Sequence, residues 1–189
     1  GYATSLALDG NGTIHISYRG YNYGTATTYN YGLKYATNAS GTWTTTMVDS
    51  AGDSVGYYPS LAIGGSGKAH ISYFDWDNYD LKYATNATGT WTATTVDGYG
   101  NVGAYTSIKV NGSGVAHISY SDWGEAAIKH AIGMVATGGD TTPPTVVSTS
   151  PASSVTSAAI NGVITATFSE FMRTSTINTA TFSMANGSG

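Results

Sequence analysis

The nonapeptide Lys68-Ala69-His70-Ile71-Ser72-Tyr73-Phe74-Asp75-Trp76 carries a core, His-Ile-Ser-Tyr, that stands again at His15-Ile16-Ser17-Tyr18 and at His117-Ile118-Ser119-Tyr120. Within it Ala69, Ile71 and Tyr73 alternate with His70 and Ser72, a period of two in residues that favour extended backbone. The stretch predicts a β-strand with one apolar and one half-polar face, in a sheet layered against another sheet. Three copies of the word predict a repeat protein.

Aligned on the histidines, the repeats open with Gly1-Tyr2-Ala3-Thr4-Ser5, Gly56-Tyr57-Tyr58-Pro59-Ser60 and Gly103-Ala104-Tyr105-Thr106-Ser107. His70 and His117 stand 47 residues apart, and the first repeat is eight residues longer. The excess lies mostly in a stretch around Tyr21 to Tyr31, rich in Tyr, Thr, Asn and Gly, which is expected in a loop. Each repeat reads as four strands. Strand a covers residues 5–8, 60–63 and 107–110. The words that follow, Asp9-Gly10-Asn11-Gly12, Gly64-Gly65-Ser66-Gly67 and Asn111-Gly112-Ser113-Gly114, are hairpin turns needing positive φ. Strand b is the opening word. Strand c covers residues 33–37, 81–85 and 128–131, with its Lys on the wetter face, and strand d covers 43–48 and 91–96. The third repeat lacks a convincing d strand, because residues 133–139 are short and have no Trp-Thr opening. Eleven strands leave open edges at strand a of the first repeat and strand c of the third. The chain is therefore expected to be part of a longer protein, or to be completed by neighbouring copies.

A period of about 40–50 residues with four antiparallel strands is the pattern of propeller blades. The words Ser5-Leu6-Ala7-Leu8-Asp9-Gly10-Asn11-Gly12-Thr13-Ile14-His15-Ile16-Ser17-Tyr18 and Leu33-Lys34-Tyr35-Ala36-Thr37-Asn38-Ala39-Ser40-Gly41-Thr42-Trp43 resemble the repeats of bacterial and archaeal cell-surface β-propellers. The blade period is similar to that of sialidase-like and tachylectin-like propellers. The resemblance covers residues 1 to about 135 and implies an all-β fold, a partial β-propeller of about three four-stranded blades, the third incomplete. From Asp140, Thr141-Thr142-Pro143-Pro144 reads as a Pro-stiffened linker. Beyond it, Ile164-Thr165-Ala166-Thr167-Phe168 and Ser175-Thr176-Ile177-Asn178 resemble the start of a bacterial Ig-like β-sandwich of surface-layer and adhesin proteins. Such a sandwich needs about 100 residues, so this one is expected to be truncated. The expected boundaries are 1–138 for the repeats (1–55, 56–102, 103–138) and 139–189 for the linker and Ig-like module. The resemblance implies an extracellular or cell-surface protein acting in adhesion or structural assembly, with other copies of itself or neighbouring surface domains as partners.

Only 10% of the 189 residues are charged, and the net charge of −4 comes from scattered acids with no basic run. That leaves no electrostatic footprint for nucleic acid or anionic lipid. Abundant Gly, Ser, Thr, Asn and Tyr fit an exported all-β protein kept soluble by hydroxyls and amides. The absence of cysteine excludes disulfides, thiolate metal sites and cysteine nucleophiles. No apolar run approaches the roughly 18 residues of a membrane helix, so membrane insertion is not expected. The N-terminus has no signal pattern, which reads as a mature chain or a fragment.

Among residue types that carry chemistry, His15, His70 and His117 recur and could in principle meet a metal. Equivalent positions on adjacent blades fan apart, however, so each His is expected to satisfy buried hydrogen bonds within its own blade. The b–c loops align Tyr21, Trp76 and Trp123, the two Trp preceded by Asp75 and Asp122. An exposed aromatic ring beside an acid suits a sugar, the ring covering the C–H face and the carboxylate accepting from hydroxyls. The competing expectation is a Trp packed on the next blade. Residues 75–80 also offer oxygen ligands to Ca2+, although no glycine stands at the turn position and the other repeats do not reproduce the loop. No other cofactor is expected. With arginine only at Arg19 and Arg173, a sialidase-like carboxylate clamp is excluded, and no nucleophile elbow or phosphate loop occurs. The chain is expected not to be an enzyme, although loop acids could be proposed as a glycosidase pair. Candidate glycosylation sites are Asn11, Asn38, Asn86 and Asn111, with a fifth sequon at Asn186. Strand direction predicts that the first four share one end of the sheets and the b–c aromatics the other.

Overall fold

Alternating words become strands throughout. In the computed structural model, residues 1–23, 29–134, 145–152, 163 and 165–168 are described, and they hold β-strands and no helix. The chain divides into two units, residues 1–139 and 140–189. In the first unit, β1 (Tyr2–Leu8), β2 (Ile14–Tyr23), β3 (Tyr29–Thr37) and β4 (Thr44–Asp49) form one antiparallel meander. A second is built from β5 (Val55–Ile63), β6 (Ala69–Asp75), β7 (Asp80–Thr85) and β8 (Thr92–Asp97). The third has three strands among the described residues, β9 (Val102–Val110), β10 (Val115–Asp122) and β11 (Ala127–Met134). None of the sheets closes on itself. In the second unit β12 (Val146–Ser150) pairs antiparallel with β13 (Thr165–Phe168). Residues 175–182 and Asn186 lie outside the described residues.

The Gly-rich words make the a–b turns, and their last glycines, Gly12, Gly67 and Gly114, take φ of +81°, +73° and +82°. In the first and third turns a side chain completes the loop: Asp9 Oδ1 accepts from the amides of Asn11 and Thr13, and Asn111 Oδ1 from those of Ser113 and Val115.

Two expectations about exposure need correction. The stretch around Tyr21 to Tyr31 is not a loop on its flanks, since β2 and β3 stay paired out to Tyr23 and Tyr29. Nor does β6 have a wet face, because every one of its residues is buried. Ala69, Ile71 and Tyr73 pack on Leu33, Tyr35, Ala7 and Val48 of the first sheet. On the other side of the second sheet, Leu81, Tyr83 and Ala62 pack on Ile108, Ala116, Ile118 and Tyr120 of the third. The second sheet is thus the filling between two others, and each large apolar side chain removed from water there contributes about 1.5–3 kcal/mol.

Polar groups cross the same interfaces in register. Ser5 Oγ accepts from the amide of Leu61 at 3.1 Å, and its equivalent Ser60 Oγ accepts from that of Ile108 at 3.2 Å. Tyr73 donates to Asp49 at 2.6 Å and Tyr120 to Asp97 at 2.8 Å. Lys82, expected on the wetter face, is buried and sits 2.6 Å from Asp49 and 3.9 Å from Asp75. Its counterpart Lys129 reaches Asp122 at 2.6 Å and Asp97 at 3.8 Å. Burial alone would raise the Asp49 pKa, but the bonds from Lys82 and Tyr73 outweigh it and hold the carboxyl below its ordinary value. Burial and the Asp49 charge push the Tyr73 hydroxyl well up. In the first sheet Tyr18 and Lys34 occupy the same places, but Gly20 replaces the strand's acid.

Candidate ligand-binding surface

The b–c hairpins are held by the acids that precede their tryptophans. Asp75 Oδ1 accepts from the amides of Asp77 and Asn78 at 3.0 and 3.4 Å, and its Oδ2 from the Asn78 amide side chain at 3.0 Å. Asp122 Oδ1 accepts from the amide of Glu125 at 2.9 Å, and the Lys129 bond lowers its pKa. Both carboxylates are buried. The sequence places them beside a ligand, whereas here they shape the loops and engage lysines. The backbone amides of the tryptophans are pinned in parallel, Trp76 to the Ser54 carbonyl at 3.0 Å and Trp123 to the Asn101 carbonyl at 2.8 Å. Both rings remain over a third exposed, at 37% and 41%.

The starts of the a strands add two further rings. Gly56 and Gly103 have φ of +87° and +103°, and a Cβ on either would fall 2.9 or 2.5 Å from the Cα of Leu33 or Leu81 in the preceding sheet. Only glycine lets the chain pass so close. Two residues later Tyr58 and Tyr105, like Ala3 in the first repeat, also take positive φ, at +47°, +52° and +48°. This backbone is strained for a bulky side chain and coincides with register breaks in β5 and β9. Tyr105 stands out from the sheet as a result, 63% exposed.

These devices gather rings from two sheets. Phe74, fully buried, is the hub, with Trp76 edge-on at 5.5 Å, Trp123 at 6.1 Å and Tyr58 at 6.3 Å. Around it Trp76 meets Trp123 at 6.2 Å, Trp123 meets Tyr105 at 6.1 Å, and Tyr105 meets Tyr58 at 4.5 Å. Burial and the Tyr105 hydroxyl raise the Tyr58 pKa. The row continues into the first sheet through Arg19, whose guanidinium lies 4.1 Å from the Tyr57 ring centre and 3.8 Å from that of Tyr31. Tyr31 in turn donates to the Tyr21 hydroxyl. All three aromatics singled out from the sequence are therefore in one row, in which Tyr31, Arg19 and Tyr57 lie between Tyr21 and Trp76. Tyr57, Tyr58, Phe74 and Tyr105 were not recognised from sequence. The signal available was the aromatic content of the repeat openings behind a glycine.

The histidines do not converge. His15 and His70 are buried and each bonds a tyrosine of its own sheet, Tyr35 and, at 2.6 Å, Tyr83. Burial lowers the His70 pKa. In contrast to the expected buried bond, His117 is only half-buried and its partner is His130, with Nδ1 and Nε2 3.3 Å apart and the rings nearly parallel. Ser17 and Ser72, beside the first two of these His, face the next sheet: Ser72 accepts from Thr106 at 2.7 Å, while Ser17 Oγ has no partner among the described residues. Among the described residues no group of three His, Asp or Glu is placed to hold a metal ion, and no helix is long and apolar enough to cross a membrane. Asn11, Asn38, Asn86 and Asn111 lie in or next to the a–b and c–d turns, at the end opposite the ring row.

Residues 140–189 match the bacterial Ig-like domain family. Among solved structures, the chain is similar to a fucose lectin from Kordia zhangzhouensis, determined in complex with methyl-fucoside, with 15% identity and a TM-score of 0.47 over 69% of this chain and 91% of that one. A comparison with curated proteins finds no match.

Proposed function

We propose that the chain is a non-enzymatic module of an extracellular or cell-surface protein, in which repeats over residues 1–138, a partial propeller, precede an Ig-like module and bind carbohydrate on the aromatic row. One observation carries this reading. Trp76, Trp123 and Tyr105 are exposed rings held in place by a buried phenylalanine, pinned backbone amides and a strained strand start. Rings fixed in advance lose little freedom on binding, and their faces match the C–H face of a sugar. The ligand class is neutral glycan. Arg19, Lys82 and Lys129 are already engaged by tyrosine rings or carboxylates, and the loop acids Asp77 and Glu125 disfavour an anionic sugar. Binding of this kind needs no cofactor. In a surface protein it would serve adhesion, and asparagine glycans, if the host adds them, would sit at the far end of the sheets.

A glycan array probed with the wild-type chain and with Trp76→Ala and Trp123→Ala tests the reading. Saturable binding to neutral glycans, lost in both variants, is the expected result. Binding that survives both substitutions, or that is confined to sialylated or uronic acid glycans, would contradict it.

A further inference from the structure

The two internal sheet–sheet interfaces share one pattern, and the outer faces of the first and third sheets carry its two unmatched halves. In each interface a leading face, holding Leu33 or Leu81 from strand c, lies on a trailing face, holding Leu61 or Ile108 from strand a; all four are buried. The third sheet's leading face has Ile128 at the Leu33 and Leu81 position, 78% exposed, and the first sheet's trailing face has Leu6 at the Leu61 and Ile108 position, 61% exposed. The polar contacts are split in the same way. Ser107, the next member of the Ser5 and Ser60 series, is exposed on the third sheet, and the amide it would accept from is that of Leu6. Ser119 repeats Ser72, and Thr4 repeats the Thr106 that donates to it, both exposed.

We infer that the third sheet of one copy docks on the first sheet of a second copy, continuing the internal stacking from chain to chain. Continuity with the internal interfaces selects a second copy as occupant, because among the described residues the complement of each outer face is the other outer face. The internal interfaces also join a d-strand acid to a Tyr and a Lys, and the trailing face of the first sheet keeps that Tyr and Lys as Tyr18 and Lys34. On the leading face of the third sheet Lys109 stands where the other sheets have Ala7 and Ala62, and His130 where they have Tyr35 and Tyr83. The contact is heterologous, so it either closes a ring or grows. This inference goes beyond the glycan reading and stands without it.

Sedimentation velocity on the full 189-residue chain tests it, with Leu6→Arg disabling the trailing face and Ile128→Arg the leading one. The wild type should associate as concentration rises, and each variant should sediment at 19.5 kDa while keeping the wild-type circular dichroism. An equimolar mixture of the two variants should form a one-to-one pair of twice that mass and nothing larger, because a single intact contact remains. If either variant misfolds, Leu8→Arg or Ser119→Arg takes its place. A wild type that stays monomeric at every concentration, variants that associate like the wild type, or a mixture that stays monomeric would overturn the inference.

Discussion

His70 and His117 occupy the same place in the same four-residue word, yet His70 is 1% exposed and bonds a tyrosine, whereas His117 is half in water beside another histidine. The second and third sheets differ in this way on their leading faces. Leu81 is fully buried and its equivalent Ile128 is 78% exposed. Within one chain, then, nearly identical strands have different environments, and what sets the environment is whether another sheet lies on the face. Energetic weight should follow the covering, and equivalent substitutions in the two sheets measure it.

The largest contrast is expected at the lysines. Lys82→Ala leaves the buried Asp49 carboxylate without its cation, which costs about 3–5 kcal/mol. Lys129→Ala should cost less, because its ammonium and the Asp97 carboxylate are more open to solvent, which screens the charge. Denaturant unfolding of the two variants checks this, and equal losses would show that covering is not what matters.

A smaller contrast is expected at the histidines. His70→Ala strands the buried Tyr83 hydroxyl and should cost about 1–3 kcal/mol, with His117→Ala costing less. The two sites also differ in pH response. Because burial lowers the His70 pKa in the folded state, the unfolded chain takes up the proton first. Stability should therefore decline as pH falls below about 6.5, the ordinary histidine value, and this decline should shrink in His70→Ala. A second decline belongs to Asp49, whose folded pKa is lowered; its contribution is present above about 3.9 and lost as pH falls through the folded value. Melting temperatures across pH 3 to 8 would show both, and a flat profile from 7 to 5 in the wild type would refute the first.

The smallest effect on stability is expected at Tyr105. Its φ of +52° suits asparagine at least as well, so Tyr105→Asn should change stability by no more than about 0.5 kcal/mol. Binding to a neutral glycan should weaken all the same, because a ring is removed from the row. A variant that loses stability and keeps its affinity would reverse the assignment.

The strands and the a–b turns were legible in the sequence because a period of two and Gly-rich words are local signals. The expected lack of a fourth strand in the third repeat falls on residues 133–139, of which 135–139 lie outside the described residues. Exposure was not legible for β6 or Lys82, because it depends on residues more than 30 positions away, such as Leu33 and Asp49. The site was half legible. Trp76, Trp123 and Tyr21 could be aligned, but Tyr58 and Tyr105 come forward only through a glycine that must clear a neighbouring sheet, and Asp75 and Asp122 carry a loop-shaping role that their alignment beside a Trp conceals.

Four tryptophans report on the two ends of the sheets, Trp76 and Trp123 in the ring row, and Trp43 and Trp91 beside the c–d turns at the other end. Trp43 is the most exposed of the four, at 54%, which makes it a control for rings that are merely accessible. Titrating the nitrogen-15-labelled chain with a panel of neutral oligosaccharides, and following the indole N–H resonances, therefore tests the glycan surface directly. Shifts at Trp76 and Trp123 that saturate together, with Trp43 and Trp91 stationary, are the predicted result; movement of Trp43 or Trp91 alone, or four stationary resonances across the panel, would contradict it.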